Sequence, residues 1–191
     1  STAGSRLISV AANGELTLGD GAKIQHVYCS GAQAIQLNDD SAVLNIEKGA
    51  TISDCKGSAT TGGAIRVNSG TVNMTGGTIH DNGSVGYTSY GILNLTNGTI
   101  TGSLYVGNRA TSTGQVFMVG GKIGGVLYVG QNGKGLFDFS GGELTGNDIR
   151  LGAEEDSDGR MILRWPLYIN NVYAGLDGDG ELNVQTNISI N

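Results

Sequence analysis

The sequence of 191 residues predicts an all-β protein, a single right-handed parallel β-helix (solenoid) of about eight rungs. Three observations lead to this prediction. A short pattern of an apolar residue, any residue and a second apolar residue recurs eight times. Glycine supplies 34 residues, far above its usual share of about 7%. The copies are 21 to 28 residues apart, too short for one copy to bury its own apolar side, so successive copies must stack.

The alternating pair is the first predicted strand of each copy. Alternation with a period of two is typical of a β-strand, because successive side chains point to opposite faces. These pairs begin at Leu16, Leu44, Val72, Leu93, Val116, Phe137, Met161 and Leu182. A turn that usually contains glycine follows each pair and predicts a sharp bend into a second short strand. That strand is marked by Ile24, Ile52, Ile79, Ile100, Ile123, Leu144, Leu167 and Ile188.

A further apolar pair predicts a third strand in most rungs. It is most regular as the repeated Leu-Tyr-Val-Gly of residues 104–107 and 127–130, and it begins at Ile35, Ile65, Leu104, Leu127, Ile149 and Val172. In the third rung the assignment around Val85, Gly86 and Tyr87 stays ambiguous. A six-residue period is absent and propeller blades need about 40 residues, which favours the right-handed helix.

The domain prediction is one β-helix domain over residues 1–191. Residues 14–190 form the rungs, and residues 1–13 form an N-terminal cap, with a short helical period around Leu7, Ile8 and Val10. The chain stops on an apparent strand around Ile188, whose open edge would invite association. We therefore expect the natural protein to continue beyond Asn191, or another element to cover this end.

Composition excludes several partner classes. The net charge of −6 and the pI near 4.7 argue against a nucleic-acid partner, because phosphate backbones attract basic surfaces. No run of about 18 apolar residues occurs, so we expect no membrane insertion. Two cysteines, Cys29 and Cys55, are too few for a disulfide-built scaffold. They fall on neighbouring rungs about two residues out of register, so a disulfide between them stays open.

Three segments carry a family resemblance. "GELTLGDGAKI" (14–24) and "GGAIRVNSGTVNMTGGTIHDN" (62–82) resemble repeats of right-handed β-helix surface proteins of bacteria. "LYVGQNGKGLFDFSGGELTG" (127–146) resembles the β-strand repeats of autotransporter-associated proteins. The resemblance implies an exported, secreted or cell-surface bacterial protein, often an adhesin or a stalk. Pectate-lyase-like enzymes share this fold, so the fold by itself does not decide the activity.

The outward positions of the third strand are the best candidate for a ligand-binding surface. Stacked tyrosines carry flat apolar faces and hydroxyl tips on which sugars bind, and arginines can hold acidic groups. The alternative is that these side chains simply pack along the strands. The outward residues are Gln36, Arg66, Tyr105, Tyr128, Arg150 and Tyr173, of which all but Gln36 are taken as ligand-binding.

Two acidic loops on adjacent rungs are the candidate calcium site. Calcium takes six to eight oxygen ligands from flexible acidic loops, although no complete calcium-loop motif is present. A solvated acidic edge is the alternative. The candidate ligands are Glu154, Glu155, Asp156, Asp158, Asp177 and Asp179.

One further column combines a histidine with carboxylates. His26, Asp54 and Asp81 each follow an Ile of the second strand by two residues, and His80 is adjacent. Such a set could perform acid–base chemistry on a polysaccharide. Aspartate is also a routine turn former, so a purely structural role is the alternative.

The function predicted from these observations is a non-enzymatic extracellular β-helix. It acts as an adhesin or stalk that presents a lateral face to a glycan or to a surface protein of a host or neighbouring cell. One alternative is a polysaccharide lyase or glycoside hydrolase of the pectate-lyase-like class that uses His26, Asp54 and Asp81, or the acidic loops with calcium. Another is a purely structural repeat segment. No cofactor is predicted apart from the candidate calcium.

Overall fold

The fold is a right-handed parallel β-helix, as the repeat predicted. The structure is a computed structural model of the chain and describes residues 7–29, 33–57, 63–82, 86–88, 90–146 and 148–190. Across these ranges every regular element is a β-strand, and every pairing between strands is parallel. The same ranges contain no helix long and apolar enough to cross a lipid bilayer.

Each turn of the helix contributes strands to three faces, which we name A, B and C in chain order. Face A consists of β1 (Ile8–Val10), the first part of β5 (Gln33–Ile46), the first part of β8 (Gly63–His80), β9 (Gly86–Thr88), β11 (Leu104–Val106), β14 (Leu127–Val129), β17 (Asp148–Leu151) and β20 (Asn171–Ala174). Face B consists of β2 (Glu15–Leu18), the later part of β5, the middle of β8, the start of β10 (Ile92–Ile100), β12 (Thr113–Met118), β15 (Lys134–Phe139), β18 (Asp158–Leu163) and β21 (Asp179–Val184).

Face C is built from shorter strands. It consists of β3 (Lys23–Gln25), β6 (Thr51–Ser53), the ends of β8 and β10, β13 (Lys122–Ile123), β16 (Glu143–Leu144), β19 (Leu167–Ile169) and β22 (Ile188–Ile190). Between faces C and A, β4 (Tyr28–Cys29) pairs with β7 (Lys56–Gly57). Within the described ranges, faces A and B therefore contain eight strands each, and the helix makes seven full turns between the first and the last strand of a face.

One continuous apolar core lies inside the three faces. The second-strand residues Ile24, Ile52, Ile79, Ile100, Ile123 and Leu144 stack in register on face C, and all are at most 8% exposed. On face B, the inward side chains of Phe137 and Phe139 are fully buried and their rings are 6.3 Å apart. The period-two pattern in the sequence thus marks the inward side of each strand.

Two details of the sequence prediction change. The ambiguous third rung is now placed, because Tyr87 pairs with Arg66 on one side and with Tyr105 on the other. The helical period around Leu7, Ile8 and Val10 predicted a short helix, and this prediction is wrong. Ile8–Val10 is a strand of face A that pairs with Ile35–Leu37, because a neighbouring strand edge satisfies its backbone groups.

The corners between the faces need unusual backbone conformations. Glycines with positive φ form a column at the corner between faces A and B, at Gly107, Gly130, Gly152 and Gly175. Another column lies at the corner between faces B and C, at Gly77, Gly98, Gly121 and Gly142. The corner between faces C and A instead uses His26, Asp54 and Asp81, whose φ angles lie between 52° and 55°.

Candidate functional site

The outward column of face A is assembled as the sequence predicted. Backbone pairing places Gln36, Arg66, Tyr87, Tyr105, Tyr128, Arg150 and Tyr173 at equivalent positions of successive turns. Neighbouring members of this column lie one strand spacing apart, about 4.8 Å. The winding of the chain therefore brings together residues that are 18 to 30 positions apart in sequence.

Four members of this column form a continuous stack, which we call the tyrosine–arginine ladder: Tyr105, Tyr128, Arg150 and Tyr173. The rings of Tyr105 and Tyr128 are nearly parallel, at 8°, with their centroids 4.7 Å apart. The guanidinium carbon of Arg150 lies 5.3 Å from the Tyr128 ring centroid and 6.0 Å from that of Tyr173. Both distances allow cation–π attraction, so Arg150 stabilises the stack between two rings.

This stacking changes the way in which the ladder could bind a ligand. One face of the Tyr128 ring is occupied by Tyr105 and the other by Arg150. A sugar ring therefore has no free face at Tyr128 on which to stack. The ladder instead presents ring edges, hydroxyl groups and a guanidinium to a partner, and these groups suit hydrogen bonding.

Asp148 and Asn68 hold the two arginines of the column. Arg150 lies 3.4 Å from the Asp148 carboxylate, which also accepts a hydrogen bond of 3.0 Å from Asn171. Arg66 donates to the side-chain oxygen of Asn68 over 2.8 Å. Arg66 is two turns from Tyr105, with Tyr87 between them, so the column brings it onto the same face but not into the ladder.

The outward column of face B is a ladder of side-chain amides. Asn45 donates to Thr17, Asn73 donates to Asn45, and Asn94 donates to Asn73, the last two bonds both at 3.0 Å. Each amide is satisfied by its neighbours along the axis. This column thus stabilises the sheet by side-chain hydrogen bonds.

The two acidic loops lie on adjacent turns, as predicted. Asp158 pairs with Asp179 in the backbone register, and the loops line a cleft of about 430 Å³. Lys134 also lines this cleft, and its amine lies 3.8 Å from the Asp158 carboxylate. Among the described residues, no three side chains of the metal-binding types converge on one point. The calcium site formed by Glu154, Glu155, Asp156, Asp158, Asp177 and Asp179 therefore stays a prediction.

The histidine–aspartate column lies at the exposed corner between faces C and A. His26 Nδ1 is 2.6 Å from an Asp54 oxygen, and the Lys56 amine is 2.8 Å from the other oxygen. His80 contacts Asp81 over 2.7 Å. Lys56, and to a lesser extent His26, lower the pKa of Asp54 below its ordinary value of 3.8. A carboxylate with a lowered pKa is ionised at neutral pH, so it has no proton to donate as a general acid, and it is also a weak base.

Replacing Lys56 tests this electrostatic arrangement. In Lys56→Met we expect the pKa of Asp54 to rise toward 3.8, because the largest cause of its depression is removed while the His26 contact remains. Because this pKa is lowered by folding, its contribution to stability is present above pH 3.8 and is lost as the pH falls through the lowered value. The measurement is an NMR titration of the Asp54 side-chain carboxyl carbon. Lys48→Met, which removes an exposed lysine elsewhere, is the control, and an unchanged Asp54 titration in Lys56→Met would contradict the arrangement.

The cysteines lie on adjacent turns with the expected offset: Cys29 is in β4, and Cys55 immediately precedes β7. Cys29 pairs with Gly57, two residues beyond Cys55, in the β4–β7 ladder. Cys55 is buried, and its sulfur is 3.4 Å from the Ser53 carbonyl oxygen. The side chain of Cys29 lies outside the described part of the chain, so the question of a disulfide stays open.

A groove on face C was not anticipated from the sequence. It has a volume of about 640 Å³ and is bordered by Trp165 and Tyr168, which are 53% and 67% exposed. A signal for it exists in the repeat. The two preceding copies have Gly-Gly at the corner between faces B and C, at 120–121 and 141–142. The next copy has Trp165-Pro166 at these positions, because Arg164 aligns with Ser140. The only tryptophan of the chain thus interrupts a glycine column.

No protein-family model, curated protein or solved structure is significantly similar to this chain. The assignment therefore ends at the parallel β-solenoid fold, and function has to be argued from the surfaces described above.

Proposed function

We propose that the protein is a non-enzymatic extracellular β-helix that binds an acidic partner through the lateral surface of face A. The partner is a glycan or a surface protein of a host or neighbouring cell. The chain acts as an adhesin or stalk of an exported bacterial protein, in line with the resemblance of its repeats. Its β-strands fix the binding groups on a rigid support, which lowers the entropy cost of binding.

The observation that carries this proposal is the tyrosine–arginine ladder. It places three phenol groups and one guanidinium in a row, and the backbone register determines their spacing. Arginine and tyrosine are enriched among residues that dominate binding energy in interfaces. The Arg150 guanidinium carries five N–H donors, and its contact with Asp148 at 3.4 Å uses only part of them, so donors remain for a carboxylate or sulfate group of the partner.

The proposed binding predicts that truncating the ladder weakens retention on the partner while the rod stays folded. We expect the double variant Tyr105→Ala/Tyr128→Ala to lose about tenfold or more in affinity for acidic polysaccharides. Its thermal midpoint should fall only slightly, because both side chains are partly exposed. Screening of acidic and neutral polysaccharides for retention, followed by titration of those retained, is the measurement.

Two controls make this experiment decisive. Tyr128→Phe keeps the ring stack and removes one hydroxyl, so it separates hydrogen bonding from packing. Phe117→Ala removes an outward ring from face B, away from the ladder, and should leave binding unchanged. Equal retention of the double variant and the natural sequence would overturn the ladder as the binding surface. Release of reducing ends during the same screen would favour the polysaccharide-active alternative, and no retention of any polysaccharide or surface protein would favour a purely structural segment.

A further inference from the structure

We propose that the groove on face C is a second binding site, which takes a linear neutral oligosaccharide by stacking sugar rings on Trp165 and Tyr168. This site is separate from the tyrosine–arginine ladder, and the argument for it does not depend on the proposed function. The groove runs across successive turns at the corner between faces B and C. Three turns supply both its floor and its rim, and the turn that follows them supplies its wall.

The floor of the groove consists of glycine, so no side chain fills it. Gly98, Gly121 and Gly142 occupy equivalent positions of three turns and all have positive φ angles, between 79° and 103°. A Cβ atom on Gly121 would lie 2.8 Å from the carbonyl oxygen of Gly98, closer than real Cβ contacts allow. The fold therefore keeps this floor open, and a ligand can approach the backbone.

The wall consists of two aromatic side chains on a fixed turn. Trp165 and Tyr168 expose more than half of their surface. The turn that carries them is held on one side by Arg164, whose Nε is 2.9 Å from the Asp138 carboxylate. It is held on the other side by Leu167 and Ile169, which are only 2% and 4% exposed. Exposed rings on an anchored backbone are preorganised for a ligand, because little freedom is lost on binding.

The rim supplies hydrogen-bonding groups and carries no net charge. Lys122 and Glu143 are the charged residues that line the groove, and their side chains form an ion pair of 3.5 Å. Thr99 belongs to the same row, one turn before Lys122, and adds a hydroxyl group. Paired charges give donors and acceptors for sugar hydroxyls without a net field that would select an ionic ligand.

Size and chemistry together point to a short neutral glycan. The volume of about 640 Å³ falls within the roughly 300–1,000 Å³ of small-molecule sites. Sugar rings combine an apolar face with a polar edge, and an aromatic ring beside donors and acceptors matches both.

The test uses Trp165 as its own reporter, because it is the only tryptophan of the chain. Linear neutral tetrasaccharides of glucose, mannose, galactose and xylose are titrated into the full chain while tryptophan fluorescence is followed, and calorimetry is run in parallel. We expect at least one of them to shift the Trp165 emission in a saturable manner. Tyr168→Ala should then weaken binding by about tenfold or more, whereas Trp165→Phe should keep most of the affinity measured by calorimetry.

The outcomes separate this site from the ladder. The variant Tyr105→Ala/Tyr128→Ala should bind the same tetrasaccharide with unchanged affinity, because the ladder lies on face A. Failure of all four sugars to produce a saturable shift or heat at millimolar concentration overturns the proposal. Binding that survives unchanged in both Tyr168→Ala and Trp165→Ala overturns it as well. Circular dichroism of each variant verifies folding, which exposed positions should leave intact.

Discussion

Replacing Phe137 by alanine is expected to cause one of the largest losses of stability in the chain. Phe137 is fully buried and stacks near Phe139 at the centre of the solenoid. Its truncation removes a ring from the core and leaves a cavity that the parallel strands on either side cannot close. Such a change costs about 3–5 kcal/mol. The free energy of unfolding, measured by urea denaturation, is the quantity to compare with that of the natural sequence.

Phe117→Ala provides a matched control for this prediction. Phe117 belongs to the neighbouring strand of face B. Its backbone pairs with Asp138, the residue after Phe137, and its side chain points outward. The same chemical change at this position should therefore cost much less. If both variants lost the same free energy of unfolding, the assignment of the inward and outward sides of face B would be incorrect.

Gly130→Ala is expected to be the second severe change. Gly130 lies at the corner between faces A and B with φ at 64°, a region that costs other residues about 1–2 kcal/mol. An added Cβ would also lie 2.6 Å from the Gly159 nitrogen and closer still to the Asp158 carbonyl oxygen, both on the following turn. Strain and overpacking together should lower the free energy of unfolding by about 2–5 kcal/mol.

Gly21→Ala separates the two causes. Gly21 has a similar φ of 76°, but a Cβ atom there would meet nothing within 4 Å. This variant should show only the backbone cost of about 1–2 kcal/mol. Urea denaturation of both variants gives the comparison. Equal losses would mean that the close approach of turns at Gly130 is not energetically important.

The sequence was sufficient to predict the architecture, because each copy of its repeat forms one turn of the stack. The apolar columns at Ile24, Ile52 and Ile79 and the outward row at Asn45, Asn73 and Asn94 both follow from aligning the copies. The first turn was harder to predict. Ile8–Val10 is a three-residue strand, and periodicity alone does not separate so short an apolar segment from a helical one.

The chemistry of the candidate sites was only partly predictable. Register placed Tyr128 next to Tyr105 and Arg150, but whether the rings offer their faces or their edges depends on side-chain rotamers set by the adjacent turns. The groove was missed for a different reason. Trp165 forms the wall of a groove only because glycines occupy the same corner in the preceding turns. The copy of the repeat that contains Trp165 is also one of the least regular, so the alignment of copies did not draw attention to it.

The parallel register between turns has one further consequence, which concerns the length of the molecule. Each turn contacts the turn before it and the turn after it, and the groups it offers to both neighbours are alike. Removing one whole turn, such as the 23 residues that separate Leu104 from Leu127, would bring equivalent strand edges together again. The rod would then shorten by about 4.8 Å without a new type of interface. The length of the solenoid can therefore change in equal increments of one turn, while its cross-section stays constant.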